Sequence, residues 1–265
     1  MKKIITTALL FLVILINAQS DQFTYKLSGI TTVKIETDTK IKITATSGNE
    51  LSISESETEH KKHHYNEKRS KKLAEKTKGL TAIYPGGKDD ANGLGFSIEK
   101  EGKTLNIVDL KSHIKRHGLF MSLPKNINVV FKTPNLGAIE VIGLTSEIEA
   151  STNVGFIKLK DVTGPITVNA NTGNVNVEFT KVNQSSPITI YSNVGEIDVT
   201  MPAVTKANLE LKTSGTFYTN FEIETPKKDG LKAVRGRQRI ESTLNNGGVQ
   251  IKLRSNLGNI YLRKK

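Results

Sequence analysis

The chain has no cysteine and no tryptophan in 265 residues. The first absence excludes disulfide staples, thiolate nucleophiles, cysteine-ligated zinc, iron–sulfur clusters and lipid attachment at an N-terminal cysteine. The second, with aromatic residues at 6%, argues against a sugar-binding platform of stacked indoles. Long apolar runs are missing beyond the first residues, which excludes a multi-span membrane protein. Acidic residues are also in short supply: 26 Asp and Glu face 38 Lys and Arg, for a net charge of +12 and a pI near 9.6. Hydrophobic residues at 36% and charged residues at 24% place the chain among globular proteins, long enough for one or two domains with a core of their own.

Met1-Lys2-Lys3 and the almost unbroken apolar run from Ile4 to Ile16 have the form of a secretory signal. Thirteen helical residues reach roughly 20 Å, short of the ~30 Å hydrocarbon core, so a permanent transmembrane helix is the weaker reading. Ala18 supplies a small residue before the cut. Residues 1–18 therefore read as a signal peptide and Gln19 as the first mature residue, which predicts an exported protein of the periplasm, the outer-membrane surface or the extracellular space, with no transmembrane span after cleavage.

What the mature chain has in abundance is alternation. Val33-Lys34-Ile35-Glu36, Ile41-Lys42-Ile43-Thr44 and Leu51-Ser52-Ile53-Ser54 have the period of two that marks a half-buried strand, as do Phe96-Ser97-Ile98-Glu99 and Leu105-Asn106-Ile107-Val108. Between them, residues 57–79 form a basic insert with helix-forming composition, read as a short helix or a solvated arm. Residues 84–95 form a Gly-rich loop. The N-terminal β region is thus 19–123.

From 124 to 265 the sequence repeats itself. Asn-x-Gly occurs at Asn135, Asn153, Asn171 and Asn193, spaced 18, 18 and 22 residues apart, and again at Asn256. Each copy precedes an alternating strand, and a second family of strands lies between, around Ile148, Ile166, Ile188 and Leu209. A unit of about 20 residues with two strands and two turns is the pattern of a β-solenoid; hairpins in an antiparallel meander have no reason to hold such a period. Asn and Gly tolerate left-handed backbone at sharp corners, and stacked Asn side chains ~4.8 Å apart can form an amide ladder. Asn153, Asn171 and Asn193 are expected to stack at one corner, with Ile157, Val175 and Ile197 stacked inside.

This combination of signal peptide, opening strands, Gly-rich loop, Leu123-Pro124 entry and repeated Asn-x-Gly-x-Ile/Val-x-Val coils resembles the DUF4097 family of adhesin-like β-strand-repeat proteins, common in Bacteroidetes and other bacteria. The resemblance covers nearly all of the mature chain and implies an all-β, right-handed parallel β-helix-like solenoid in an exported bacterial protein. It brings no catalytic residues. The insert at 57–79 looks like a local elaboration.

Candidate chemistry is sparse. His60 and His64, and His113 and His117, have the i,i+4 spacing of helical metal ligands, but Lys61 and Lys62 fill the first gap and Lys115 and Arg116 the second, so solvated surface histidine is the better reading. Asp89, Asp90 and Asn92 offer oxygens beside Gly93, without the spacing of a calcium loop. Nucleophile, phosphate-loop and dinucleotide motifs are missing, and no cofactor is implied. Parallel β-helices also host polysaccharide lyases and hydrolases, which makes a carbohydrate-active enzyme the alternative; here Asp161, Glu178, Glu196, Asp198, Lys158 and Lys160 read as outward residues of half-buried strands.

Charge is the remaining signal. Residues 60–78 hold eight basic and two acidic residues, whereas the coils from 135 to 226 hold ten acidic and five basic ones. A second basic cluster runs from Lys227 to Arg239. Lys61, Lys62, Lys68, Arg69, Lys71, Lys72, Arg235, Arg237 and Arg239 are the candidate contacts for an anionic glycan, lipopolysaccharide or another envelope protein. Intracellular nucleic acid conflicts with the signal sequence. The expectation is a non-enzymatic binding or structural module of the cell envelope or surface.

Overall fold

A computed structural model describes residues 22–55, 75–80, 82–112, 118–223 and 238–265. The signal sequence, most of the basic insert and all five histidines lie outside these residues. The described residues form 22 strands. The first nine are β1 (Gln22–Lys26), β2 (Thr32–Glu36), β3 (Ile41–Thr46), β4 (Glu50–Ser54), β5 (Ile83–Tyr84), β6 (Gly87–Lys88), β7 (Phe96–Glu101), β8 (Thr104–Asp109) and β9 (Leu119–Pro124). The repeats give β10 (Asn128–Leu136), β11 (Ile139–Ile142), β12 (Ile148–Val154), β13 (Ile157–Val162), β14 (Ile166–Thr172), β15 (Val175–Phe179), β16 (Ile188–Val194), β17 (Ile197–Met201), β18 (Ala207–Thr213) and β19 (Phe217–Thr219). The C-terminal strands are β20 (Gln238–Leu244), β21 (Val249–Ser255) and β22 (Ile260–Lys264).

Two ten-stranded sheets enclose one hydrophobic core. Sheet 1 has the order β1-β4-β9-β3-β11-β13-β15-β17-β22-β19, and sheet 2 the order β20-β18-β21-β16-β14-β12-β10-β2-β8-β7. Each rung gives one strand to each sheet, and successive rungs pair in parallel. The fold is the solenoid that the repeat predicts. Alternation then does its work: Ile139, Ile157, Val175, Ile197 and Ile260 form one inward column, each at most 1% exposed. Burying such a side chain stabilises by about 1.5–3 kcal/mol. Apart from β5 and β6, which form a two-stranded sheet of their own, the strands of residues 19–123 belong to the same two sheets, so the boundary at 123/124 falls inside a continuous structure.

Rung order departs from chain order at both ends. In space the rungs run β8/β9, β2/β3, β10/β11, β12/β13, β14/β15, β16/β17, β21/β22 and β18/β19. The last coil of the chain is therefore slotted between two earlier ones. β20 first pairs antiparallel with β18; the turn Asn245-Asn246-Gly247-Gly248 then carries the chain around the start of β18, and β21 pairs parallel on its other side. Asn245 and Asn246 have φ of 50° and 67°, a region that Asn enters more readily than other non-Gly residues. The Asn245 side chain donates to the carbonyls of Ala203 and Thr205 at 2.9 and 2.7 Å.

The Asn-x-Gly corners stack as expected. The Asn171 amide donates to Asn153 Oδ1 at 2.8 Å, Asn193 to Asn171 at 3.2 Å, and Asn256 to Asn193 at 2.7 Å. Asn256 joins this ladder because its coil is the inserted one. The backbone explanation needs correction, however: none of these four asparagines has positive φ. Glycine is required for closeness. A Cβ on Gly155, Gly173, Gly195 or Gly258 would lie 1.8–2.1 Å from the carbonyl oxygen of the glycine one rung below, and the first three have φ of 147–156°. Those carbonyls also receive hydroxyls from the residue before the asparagine, from Thr152 to Gly137 O, Ser192 to Gly173 O and Ser255 to Gly195 O, at 2.8–3.1 Å.

Two substitutions check this account. Val175→Asp places an unpaired charge in the column and is expected to cost several kcal/mol in chemical denaturation, whereas the outward Asn176→Asp stays within ~0.5 kcal/mol; equal losses would contradict the inward column. Gly173→Ala forces the corner backbone away from Gly155 and is expected to cost about 2–4 kcal/mol, with a neutral result contradicting the close contact.

Candidate functional site

Several outward ionisable groups of sheet 1 are paired across rungs. The Arg263 guanidinium forks onto Asp198 with contacts of 2.9, 3.1 and 3.0 Å, which raises its pKa. Lys265 Nζ donates to Glu178 at 2.9 Å, and this bond, with Lys160 and Lys158 nearby, holds the Glu178 carboxyl below the usual carboxylate range. Lys158 lies 3.6 Å from Glu140. Glu178, Asp198 and Lys158 are among the residues that a lyase or hydrolase reading would have to recruit.

At the C-terminal end of the same face, Tyr218 stacks on Tyr261 with ring centroids 5.1 Å apart and planes within 11°. The Tyr261 hydroxyl donates to Glu196 Oε1 at 3.1 Å, and the Asn259 amide donates to the same oxygen at 3.1 Å. Arg263 lies over the Tyr261 ring at 5.2 Å. The ring of Tyr261 is therefore fixed on several sides, while Tyr218 is half exposed. Sequence reasoning missed this pair because 43 residues separate its members; only the inserted rung makes them neighbours.

Sheet 2 shows the same economy of charge. Glu210 pairs with Lys212 at 3.0 Å and with Arg239 at 3.5 Å, and the Lys212 bond chiefly holds its carboxyl below the ordinary range. Arg239 also pairs with Glu241. A groove of about 1180 Å³ runs beside these residues, bordered by Asn208, Glu210, Phe221, Glu222, Glu241 and Gln250. Arg254 lies over the Tyr191 ring, and the Asn256 amide donates to the Tyr191 hydroxyl at 2.8 Å.

Of the sequence-predicted contacts, Lys61, Lys62, Lys68, Arg69, Lys71, Lys72, Arg235 and Arg237 lie outside the described residues. Arg239 is described, and its charge is shared between two carboxylates. Asp89 and Asp90 act as turn-formers: Asp89 accepts the backbone N–H groups of Ala91 and Phe96, and Asp90 that of Ile98. Among the described residues no group of three or more acidic or histidine side chains could hold a metal ion. No described helix is long and apolar enough to cross a membrane.

No curated protein matches the chain. A solved structure titled "putative cell adhesion protein", from Clostridium sporogenes ATCC 15579, is similar with a TM-score of 0.46 and 11% identity, covering 92% of this chain and 99% of the other. The family model described as Toastrack DUF4097 matches residues 135–263. That stretch, just under half of the chain, spans every Asn-x-Gly corner of the solenoid and is what the chain shares with the DUF4097 family.

Proposed function

We propose that this protein is an exported, non-enzymatic binding module of the cell envelope or cell surface, and that its basic segments engage an anionic polymer such as an acidic glycan or lipopolysaccharide. The partition of charge carries the reading. In the coils, Glu140, Glu178, Asp198 and Glu210 are each engaged by a lysine or arginine on the sheet surface. The excess positive charge of the chain is concentrated instead at 60–78 and 227–239. A body with its charges neutralised in place and two basic segments attached to it is suited to hold a polyanion at the segments. Lysine and arginine in such segments attract mainly through a screened field with a Debye length of ~8 Å at physiological salt.

Binding is therefore expected to weaken steeply as salt rises. Reversing Lys68, Arg69, Lys71 and Lys72 to Glu should abolish retention on heparin-like or lipopolysaccharide matrices while leaving thermal unfolding of the solenoid unchanged. Elution of both proteins at the same salt concentration would exclude the basic segment as a binding element. The same acidic polysaccharides, incubated with the protein, should be recovered at full length; shortened or unsaturated products would point to a β-helix carbohydrate-active enzyme. Export has its own check, since N-terminal sequencing of envelope fractions should begin at Gln19 and a start at Met1 would exclude signal cleavage.

A further inference from the structure

The two ends of the solenoid are stepped, and the steps match. Beyond the last full rung, β18/β19, sheet 2 carries one more strand, β20, and sheet 1 carries none among the described residues. Beyond the first rung, β8/β9, sheet 2 again carries one, β7, but sheet 1 carries two, β4 and β1. We propose that copies of this chain stack head to tail, with β19 of one copy beside β1 of the next and β20 beside β7. In that arrangement each sheet places two strands between the last rung of one copy and the first rung of the next: β1 and β4 in sheet 1, β20 and β7 in sheet 2. Neither sheet is left with a gap or an overlap.

Strand direction agrees independently. β1 is antiparallel to β4, which is antiparallel to β9, so β1 runs with the rungs of sheet 1, as β19 does. β7 is antiparallel to β8, and β20 to β18, so both run against the rungs of sheet 2. Both new pairs are then parallel, as between successive rungs, and a single translation along the axis makes them together. Had either cap been turned over, one junction would be parallel and the other antiparallel.

Side chains point the same way. Phe23, Tyr25 and Ile98 at one end, and Phe217, Ile223 and Ile240 at the other, pack on the core while remaining only partly buried. Continuing the observed registers across the junction brings Ile240 against Ile98 on the inside and Tyr218 against Gln22 on the outside. The free face of Tyr218 would then be covered by an amide, as its other face is covered by Tyr261. One juxtaposition is unfavourable, because the same continuation puts Glu241 beside Glu99, and like charges directly opposite weaken a pair. The outcome is a reversible, open-ended filament, since a head-to-tail contact without rotation to closure does not terminate. Edge strands with no neighbouring strand among the described residues would otherwise invite unspecific pairing.

The absence of cysteine makes the test direct. Neighbouring strands lie ~4.8 Å apart, within the Cα range a disulfide spans. Under mild oxidation, Gln22→Cys mixed with Tyr218→Cys should give disulfide-linked dimers, each variant alone should give none, and the double variant should give a ladder of higher species on denaturing gels. Self-linking of either single variant would show an isologous dimer and overturn the proposal. So would an unlinked mixture whose components sediment as monomers at every concentration, which would leave these edges to a strand of some other protein. Glu99→Lys turns the facing like charges into an opposite pair and should tighten association in sedimentation velocity by roughly two- to fivefold; weaker or unchanged association contradicts the proposed register.

Discussion

The structure depends on a contact at its corners, where from β12/β13 to β21/β22 the backbone of one rung sits on the glycine carbonyl of the rung below. A methyl group on Gly155, Gly173, Gly195 or Gly258 would overlap that carbonyl oxygen, so the close stacking of parallel strands is decided at a position with no side chain to contribute. The carbonyl so approached still needs a donor, and in several rungs a buried Thr or Ser hydroxyl supplies it. The asparagine between hydroxyl and glycine faces outward and bonds its counterpart above and below. A short motif thus satisfies three demands of one corner: proximity, a donor for a buried acceptor, and lateral registration of successive rungs. Once corners are registered, the inward columns of Ile, Leu and Val follow from period two alone.

Much of this was legible in the sequence because a repeat states the same physical requirement several times. Asn153, Asn171 and Asn193 recur with their following strands, so periodicity and turn chemistry point to one architecture. The hydroxyl component was harder to read. Its position is Thr152, Ala170, Ser192 and Ser255 in successive copies, and a site that tolerates alanine does not announce itself. The membership of the opening strands was hidden for a related reason: the corner of β2/β3 has Asp38 where the repeats have Asn. Asp38 accepts both the backbone N–H and the side-chain amide of Asn135, at 2.8 and 2.6 Å. A carboxylate can only accept, so this corner holds Asn135 with an acceptor where the later corners use an amide.

The functional reading was legible only as composition. Basic segments announce themselves by charge, but which charges are free is a question of neighbours, and neighbours along a solenoid are set by rung order rather than by chain order. Arg239 illustrates the point. It closes a basic cluster in sequence, yet in space it stands beside Glu210 and Glu241, the former contributed by a strand almost thirty residues earlier. Tyr218 and Tyr261 make the converse case, unremarkable apart and a locked stack together. Both pairings rest on the antiparallel return of β20 and the insertion of β21/β22.

That insertion also changes what holds the C-terminal end in place. In sheet 2, β18 reaches the earlier rungs through β21, and in sheet 1, β19 reaches them through β22. The rung made by residues 207–219 therefore has no strand partner in the body of the solenoid until residues 249–264 fill the space between. Loop closure over such separations is costly before its contacts reward it, so the outer rung and its cap β20 are constrained to join late and together. Completion of the ladder from Asn193 to Asn256 and docking of the end are then one event, in which a single coil supplies the missing amide, the missing Ser255 hydroxyl, the Gly258 contact and the inward column at Ile251, Leu253, Ile260 and Leu262. The outer rung precedes in the sequence the coil that joins it to the body, and the cooperativity of this edge is a consequence of that order.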